Sequence, residues 1–258
     1  MNKSIGQDNK HPSLENLIIS ENLGIETLHP GGLDITTELA ELCNIAKGIK
    51  VLDVASGTGE SIIYLVDKFD CVGIGIDNSS YMVERSKNKA KDQNIDVKFT
   101  IGDIHNLPFE DNYFDVIICE CTMCIFDKEK AIDEMIRVIK PGGYIGMHDI
   151  CWKTDTPQYL KTKLMEIEGE IPETLNEWES IFVRAGLKNI KAIDKSHIIP
   201  SWIKNNKKEI GIKGQFKIFR KVFSKWGFRG IKNIIDTEKI FKSKYTGYGI
   251  IVGNKTNN

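Results

Sequence analysis

The chain has 258 residues, of which 41% are hydrophobic, and this content supports one sizeable core with an appendage rather than two independent domains. The formal net charge of −1 gives no general affinity for polyanions, so no nucleic-acid partner is expected. No apolar run reaches the roughly 18 residues of a transmembrane helix, the N-terminus lacks the apolar stretch of a signal peptide, and six cysteines at irregular spacing predict free thiols. A cytoplasmic protein without a transmembrane segment is therefore expected.

The polar residues 1–27 are expected to form an N-terminal arm. A turn at 28–32, with the sequence Leu-His-Pro-Gly-Gly, then leads into an amphipathic helix. The next stretch, residues 51–60, has the sequence Val-Leu-Asp-Val-Ala-Ser-Gly-Thr-Gly-Glu. It predicts a buried strand, a tight glycine turn and the start of a helix. Glycine allows positive φ and exposes bare backbone N–H groups, so a nucleotide-like ligand is the first hypothesis.

A second apolar run, residues 71–76, ends in Asp77, which lies where an acid can accept hydrogen bonds from both ribose hydroxyls. A dinucleotide fingerprint requires a third glycine, but this sequence has Ile62 there. Further strands are predicted at 97–101, 114–119, 144–150, 187–193 and 245–252. Between the last two, residues 201–232 carry ten Lys or Arg and the single acid Glu209, which predicts one or two amphipathic helices.

Taken together, the glycine turn, Asp77, Gly102-Asp103-Ile104, the strand Phe114–Cys119 and Pro141-Gly142-Gly143 resemble the class I S-adenosylmethionine-dependent methyltransferases of small molecules. The resemblance covers roughly residues 28–150. It implies an α/β fold, a Rossmann-like doubly wound seven-stranded sheet with an antiparallel last strand and a helical insertion or flap before it. The expected division is a core at 28–196, a basic helical flap at 197–244, and a final core strand and tail at 245–258.

The resemblance also implies S-adenosylmethionine as cofactor and a small-molecule acceptor. The implied cofactor-binding residues are Asp53, Gly57, Thr58, Gly59, Asp77, Asn78, Gly102, Asp103, Ile104 and Cys119. Within this set, the glycine turn is expected to contact the methionine portion, Asp77 the ribose and Asp103 the adenine. His29, in the turn before the first helix, is a candidate base near the methyl group.

The segment Cys119-Glu120-Cys121-Thr122-Met123-Cys124 follows strand four, where ligands of open α/β sheets collect. Its Cys-x-x-Cys spacing lacks the second ligand pair of a zinc site, so no metal site is predicted. Cys121 and Cys124 are candidate catalytic residues. Together with Cys151 they are compatible with a thiophilic acceptor such as trivalent arsenic.

Two subfamilies are similar over the turn at 28–32 and strand four. Arsenite methyltransferases have a cysteine at the position of Cys121, but their downstream partner cysteine has no clear match here. Phosphoethanolamine-type methyltransferases have a histidine near the position of Ile125. The open alternatives are a general small-molecule methyltransferase, a metalloid methyltransferase, a non-catalytic S-adenosylmethionine-binding module, and a membrane-surface role for the basic helices. The sequence leaves the oligomeric state undetermined.

Overall fold

A computed structural model of the protein describes residues 29–256, so the predicted arm at 1–27 lies outside the described residues. The strands are β1 Lys50–Val54, β2 Val72–Asp77, β3 Val97–Ile101, β4 Phe114–Glu120, β5 Ile139–Trp152, β6 Lys188–Asp194 and β7 Thr246–Asn254. The helices are α1 Gly32–Leu42, α2 Glu60–Phe69, α3 Ser80–Asp92, α4 Lys128–Val138, α5 Gln158–Glu168, α6 Leu175–Arg184 and α7 Ile199–Phe241, with short 3-10 helices at Met123–Ile125 and Ser196–Ile198.

The seven strands form one sheet in the order β3-β2-β1-β4-β5-β7-β6. Strands β1 to β5 pair in parallel, whereas β7 runs antiparallel to both of its neighbours, β5 and β6. The sheet and the helical region before its last strand confirm the predicted fold class. The order reverses between β1 and β4, so the ends of these strands border the crevice in which ligands of such sheets bind.

Two hydrophobic cores lie on opposite faces of the sheet, because successive strand residues point to opposite faces. Val51 packs with helices α1, α2 and α3, and the next residue, Leu52, packs with α4 and α6. Both side chains are fully buried. The near-continuous apolar strands of the sequence therefore reflect burial on both faces, as expected for a parallel sheet.

The sequence predicts Ser79 and Asp127 as N-caps and a capping box at 174–177, and side-chain caps fix the beginnings of these three helices. Ser79 accepts from the Met82 N–H at α3, and Asp127 accepts from the Lys130 N–H at α4. Thr174 forms a reciprocal capping box with Glu177 at α6. Each cap pairs backbone donors that have no partner inside the helix, which stabilises the helix end.

Helix α7 is 43 residues long but is not continuous. The backbone leaves the helical conformation at Gly211 (φ 61°) and at Gly227 (φ 60°), which divides the helix into three segments. No helix within residues 29–256 has both the length and the apolar composition that a membrane span requires.

Candidate active site

The glycine turn between β1 and α2 places two glycines in different surroundings. Both have positive φ, 51° at Gly57 and 75° at Gly59. A Cβ at Gly57 would have no heavy atom within 4 Å, whereas a Cβ at Gly59 would lie 2.6 Å from the Phe99 ring and 2.8 Å from Ser86 Cβ. Gly57 therefore presents an open backbone surface to a ligand, and Gly59 allows the turn to pack closely on β3 and α3.

Asp77, at the end of β2, connects the second strand to this turn. Its Oδ2 accepts from the Gly57 N–H at 2.9 Å, and its Oδ1 accepts from the Ser79 N–H at 2.8 Å. Each carboxylate oxygen has a second lone pair, so the predicted ribose contacts are compatible with these bonds. Thr58 is half-buried beside Gly57, and Asn78 is exposed beside Asp77.

Asp53 is buried inside β1, only 2% exposed. Burial raises its pKa well above the usual range, and the nearby carboxylates of Glu120 and Asp77 raise it further. These three acids therefore lie close enough to interact electrostatically. Asp77 bonds to the glycine turn and Glu120 ends β4, so the interaction of the three acids links these two parts of the site.

The predicted adenine contacts follow β3. Ile104 is buried, and the Asp103 side chain is 64% exposed. The Asp103 carboxylate accepts from the His105 N–H at 3.0 Å, and its Oδ1 is 2.9 Å from His105 Nδ1. Gly102 donates to the Asp77 carbonyl at 3.0 Å, which holds this segment next to the ribose side of the turn.

A buried cluster of polar side chains lies at the end of β4 and at the position beside it on β5. Glu120 and His148 are register neighbours on these two strands. Glu120 Oε1 is 2.9 Å from His148 Nε2, and Glu120 Oε2 is 3.5 Å from His29 Nε2. The rings of His29 and His148 are 4.7 Å apart. The turn before α1 therefore brings the predicted base, His29, to a glutamate and a second histidine.

Hydroxyl groups orient the members of this cluster. Ser61, in the first turn of α2, donates to Glu120 Oε2, and Thr36 of α1 donates to the same oxygen at 3.3 Å. The Tyr248 hydroxyl of β7 is 2.5 Å from His148 Nδ1. Because Ser61 follows the glycine turn directly, the cluster lies beside the part of the site predicted to hold the methionine portion of the cofactor.

The electrostatics of the cluster combine one anion with a neutral imidazole. Burial lowers the pKa of His29 to about 4, although the Glu120 carboxylate opposes this shift. Burial alone would raise the pKa of Glu120, but the two histidines and the Ser61 hydroxyl outweigh it and hold that pKa below its usual range. Near neutral pH, Glu120 is therefore ionised, and His29 has a free lone pair.

The cysteines are not brought together as one set of ligands. Cys121 packs with the core on the α1 side of the sheet, and its Sγ is 3.4 Å from the Tyr248 hydroxyl and 3.7 Å from His148 Nδ1. Cys119 and Cys151 are buried in the core on the opposite face. Cys124 is buried in the 3-10 helix after β4, where its N–H donates to Asp149. The catalytic roles of Cys121 and Cys124 stay predictions, but within residues 29–256 the three thiols Cys121, Cys124 and Cys151 do not form a common ligand cluster.

Sequence reasoning found His29 but missed Glu120, His148 and Tyr248 as members of this site. Glu120 lies between Cys119 and Cys121, and the sequence pattern assigns the chemistry of this segment to its cysteines. His148 is a charged residue type in the middle of a predicted buried strand, and such a residue indicates a paired or functional group. A histidine inside an otherwise apolar strand was thus the sequence signal available for His148.

Comparison with known proteins identifies the class. A family model described as a methyltransferase domain matches residues 45–206, more than half of the chain. The chain therefore belongs to this family of methyltransferase domains. Membership confirms the predicted enzyme class and its cofactor, S-adenosylmethionine, and the open surface at Gly57 together with Asp77 and Asp103 fits that group.

Two individual relatives are similar to part of this chain. Phosphoethanolamine N-methyltransferase 1 of Arabidopsis thaliana is 30% identical over 167 residues, which are 64% of this chain and 34% of that protein. Sterol 24-C-methyltransferase of Schizosaccharomyces pombe is 36% identical over 151 residues, 55% of this chain and 40% of that protein. The chain thus spans only about a third of the length of the plant relative.

A solved structure shares the fold of this chain. Phosphoethanolamine N-methyltransferase 2 of Haemonchus contortus, in complex with phosphomonomethylethanolamine and S-adenosylhomocysteine, superposes with a TM-score of 0.77. The match covers 99% of this chain and 61% of that one at 18% identity. At this identity the likeness shows the fold alone.

Proposed function

We propose that the protein methylates a small molecule at a nitrogen or oxygen atom that carries a proton. The observation that carries the proposal is the buried cluster of His29, Glu120 and His148 beside the glycine turn. S-adenosylmethionine supplies an electrophilic methyl group, so the chain mainly has to hold the acceptor in line with that methyl and receive its proton.

The cluster has the groups for both tasks. Glu120 is anionic and held by Ser61 and Thr36, so its carboxylate has a fixed direction. His29 is neutral, 8% exposed, and lies in the turn before α1. A carboxylate and a neutral imidazole accept hydrogen bonds from an N–H or O–H acceptor. They offer little to a thiophilic metalloid, which favours soft thiolates.

The separate positions of Cys121, Cys124 and Cys151 also favour a nitrogen or oxygen acceptor over a metalloid. A metalloid acceptor held by three thiolates needs their sulfur atoms close together, which the folded chain does not provide. The Arabidopsis relative is named for N-methylation, which supports a nitrogen acceptor. The basic composition of residues 201–232 makes a phosphate-bearing amine a suitable first candidate.

The experiment is a methyl-transfer screen with labelled S-adenosylmethionine across amines, phosphoamines, alcohols, carboxylates, sterols and arsenite. We expect turnover with an N–H or O–H acceptor. In Glu120→Gln, which keeps the shape of the side chain, turnover should fall about 100-fold or more at saturating cofactor. His197→Gln changes an exposed histidine outside the cluster and serves as the control.

Three outcomes would contradict the proposal. Turnover with a sterol alone would indicate a carbon acceptor, and turnover with arsenite alone would indicate the metalloid alternative. Tight cofactor binding with no turnover in any class would favour the non-catalytic module.

A further inference from the structure

The three residues of the buried cluster are metal ligands by type and by geometry. His29, Glu120 and His148 each offer one ligand atom, and these atoms all lie within 4.8 Å of one another. It is the single cluster of this kind within residues 29–256. Two histidines and one carboxylate form a ligand set that binds divalent zinc, iron and related ions in proteins and leaves coordination positions open.

The separations between the ligand atoms fit a shared ion. With bonds of about 2.0–2.1 Å, ligand atoms lie roughly 3.3–3.4 Å apart at a tetrahedral angle and roughly 2.9–3.0 Å apart at a right angle. The observed separations are 3.5 Å between His29 Nε2 and Glu120 Oε2, and 2.9 Å between His148 Nε2 and Glu120 Oε1, so the two histidines face the two oxygens of one carboxylate. The remaining separation is within 4.8 Å, so a shift of up to roughly 1.5 Å along that edge completes the set.

The buried ligand atoms also lack other partners. Neither ring nitrogen of His29, nor Glu120 Oε1, nor His148 Nε2 has an aligned hydrogen-bond partner within residues 29–256. Glu120 Oε1 and His148 Nε2 face each other at 2.9 Å, and this contact helps to lower the pKa of Glu120. An ion between these residues would replace this contact and give the buried His29 ring a partner as well.

The surroundings resemble the outer shell of a metal site. Ligating histidines commonly use their second ring nitrogen in a hydrogen bond that fixes the orientation of the ring. His148 does this through Nδ1 with Tyr248 at 2.5 Å, which leaves Nε2 for an ion. Glu120 is likewise held by Ser61 and Thr36 through one oxygen, which leaves the other facing His148.

From these observations we infer that His29, Glu120 and His148 bind one divalent transition-metal ion at the acceptor side of the site, against the sequence-based expectation of no metal. Where the acceptor is a hydroxyl, the ion binds its oxygen at an open position and lowers its pKa, and the released proton passes to solvent. The ionised oxygen then attacks the methyl carbon of S-adenosylmethionine, the bond from that carbon to sulfur breaks, and S-adenosylhomocysteine leaves. His29 then serves as a ligand instead of a base. This role toward the acceptor rests on the proposed function, whereas binding of the ion does not.

The test uses the full chain, freed of metal with a chelator and titrated with Co²⁺ alone, with visible absorption as the readout. Zn²⁺ competition and elemental analysis give the stoichiometry. We expect one ion per chain, with affinity reduced about 10- to 100-fold or more in His29→Ala and in Glu120→Gln. His197→Gln should bind like the wild type. Circular dichroism and cofactor affinity establish that each variant is folded.

The inference is overturned if the folded wild type binds no stoichiometric Co²⁺ or Zn²⁺, or if the two cluster variants bind as tightly as the control. Methyl transfer by the chelator-treated enzyme would then show that the proposed function stands without the ion. Conversely, stoichiometric binding that depends on the cluster, combined with no turnover on any acceptor, would keep the metal site and reject the proposed function.

Discussion

Apolar residues are used in opposite ways in the parallel part of the sheet and in helix α7. Strands β1 and β4 bury almost every apolar side chain against two large cores. Helix α7 instead leaves Ile212, Phe216 and Phe228 exposed by 88%, 63% and 83%. Its middle part packs mainly on itself, around Ile218 and Val222. Stability is therefore concentrated in the sheet, and α7 has the features of a segment that opens separately.

The two regions should differ most in the loss of unfolding free energy when one aromatic ring is removed from each. Phe114 of β4 is fully buried, and the rings of Phe109 and Tyr113 pack edge-on against it at 4.9 and 5.0 Å. Phe114→Ala should lower the free energy of unfolding by about 3–5 kcal/mol. Phe228→Ala in α7 should change it by about 0.5 kcal/mol or less. Urea unfolding measures both, and equal losses would show that the exposed face of α7 is covered in solution.

The two glycines of the turn separate ligand binding from folding. Gly57→Val should reduce cofactor affinity by about 100-fold or more, because the branched side chain enters the open space and resists positive φ, at a cost of about 1–3 kcal/mol in stability. Gly59→Val should destabilise the fold more strongly, since its side chain meets Phe99 and Ser86. Calorimetry and thermal unfolding measure the two effects. Normal cofactor binding by Gly57→Val would contradict the placement of the ligand.

Asp77→Ala should weaken cofactor binding by about 1.5–3 kcal/mol for each charged hydrogen bond to the ribose that is lost. Asp77→Asn is the matched variant, because it keeps one acceptor oxygen but removes the charge. Since Asp77 also holds the N–H groups of Gly57 and Ser79, unfolding must be measured beside calorimetry. Unchanged affinity in the alanine variant would rule out the ribose contact.

The most local expected effect is confined to α7. Val222 is fully buried in the local cluster of that helix, and Val222→Ala should cost about 1–2 kcal/mol. Hydrogen exchange should increase within about residues 210–234, while the unfolding midpoint of the sheet stays the same. A lower midpoint for the whole protein would show that α7 and the sheet unfold together. Exchange in this segment that slows when cofactor and acceptor bind would support the predicted flap.

Much of the sheet could be predicted because local patterns carry the information. The strand, glycine turn and Asp77 follow from apolar runs and turn residues, and Ser79, Asp127 and Thr174 mark helix starts by their own hydrogen bonds. Residues 151–171 have an irregular, polar pattern that predicts no regular element, so helix α5 (Gln158–Glu168) is missed. Only Leu164 of this helix is buried, so the helix leaves little amphipathic signal in the sequence.

The polar cluster could not be predicted as a unit. His29, Glu120, His148 and Tyr248 come from four separate elements, and their contacts depend on the packing of α1 and β7 against β4 and β5. No local pattern encodes such contacts. The predicted domain boundaries and the roles of the cofactor-contacting residues, Asp77 among them, stay predictions.

The position of β7 between β5 and β6 has a consequence for the order of assembly. Among the strands that the structure describes, β6 pairs only with β7, and β7 follows it in the chain after the whole of α7. During synthesis β6 therefore has no sheet partner until the last strand has been made and inserted. The β1–β2 unit with its glycine turn forms from early, local pairings, whereas Tyr248 reaches His148 only at this final step. In a newly made chain the glycine turn with Asp77 can thus form before the cluster of His29, Glu120 and His148 gains its Tyr248 contact, and the role proposed for that cluster depends on the insertion of β7.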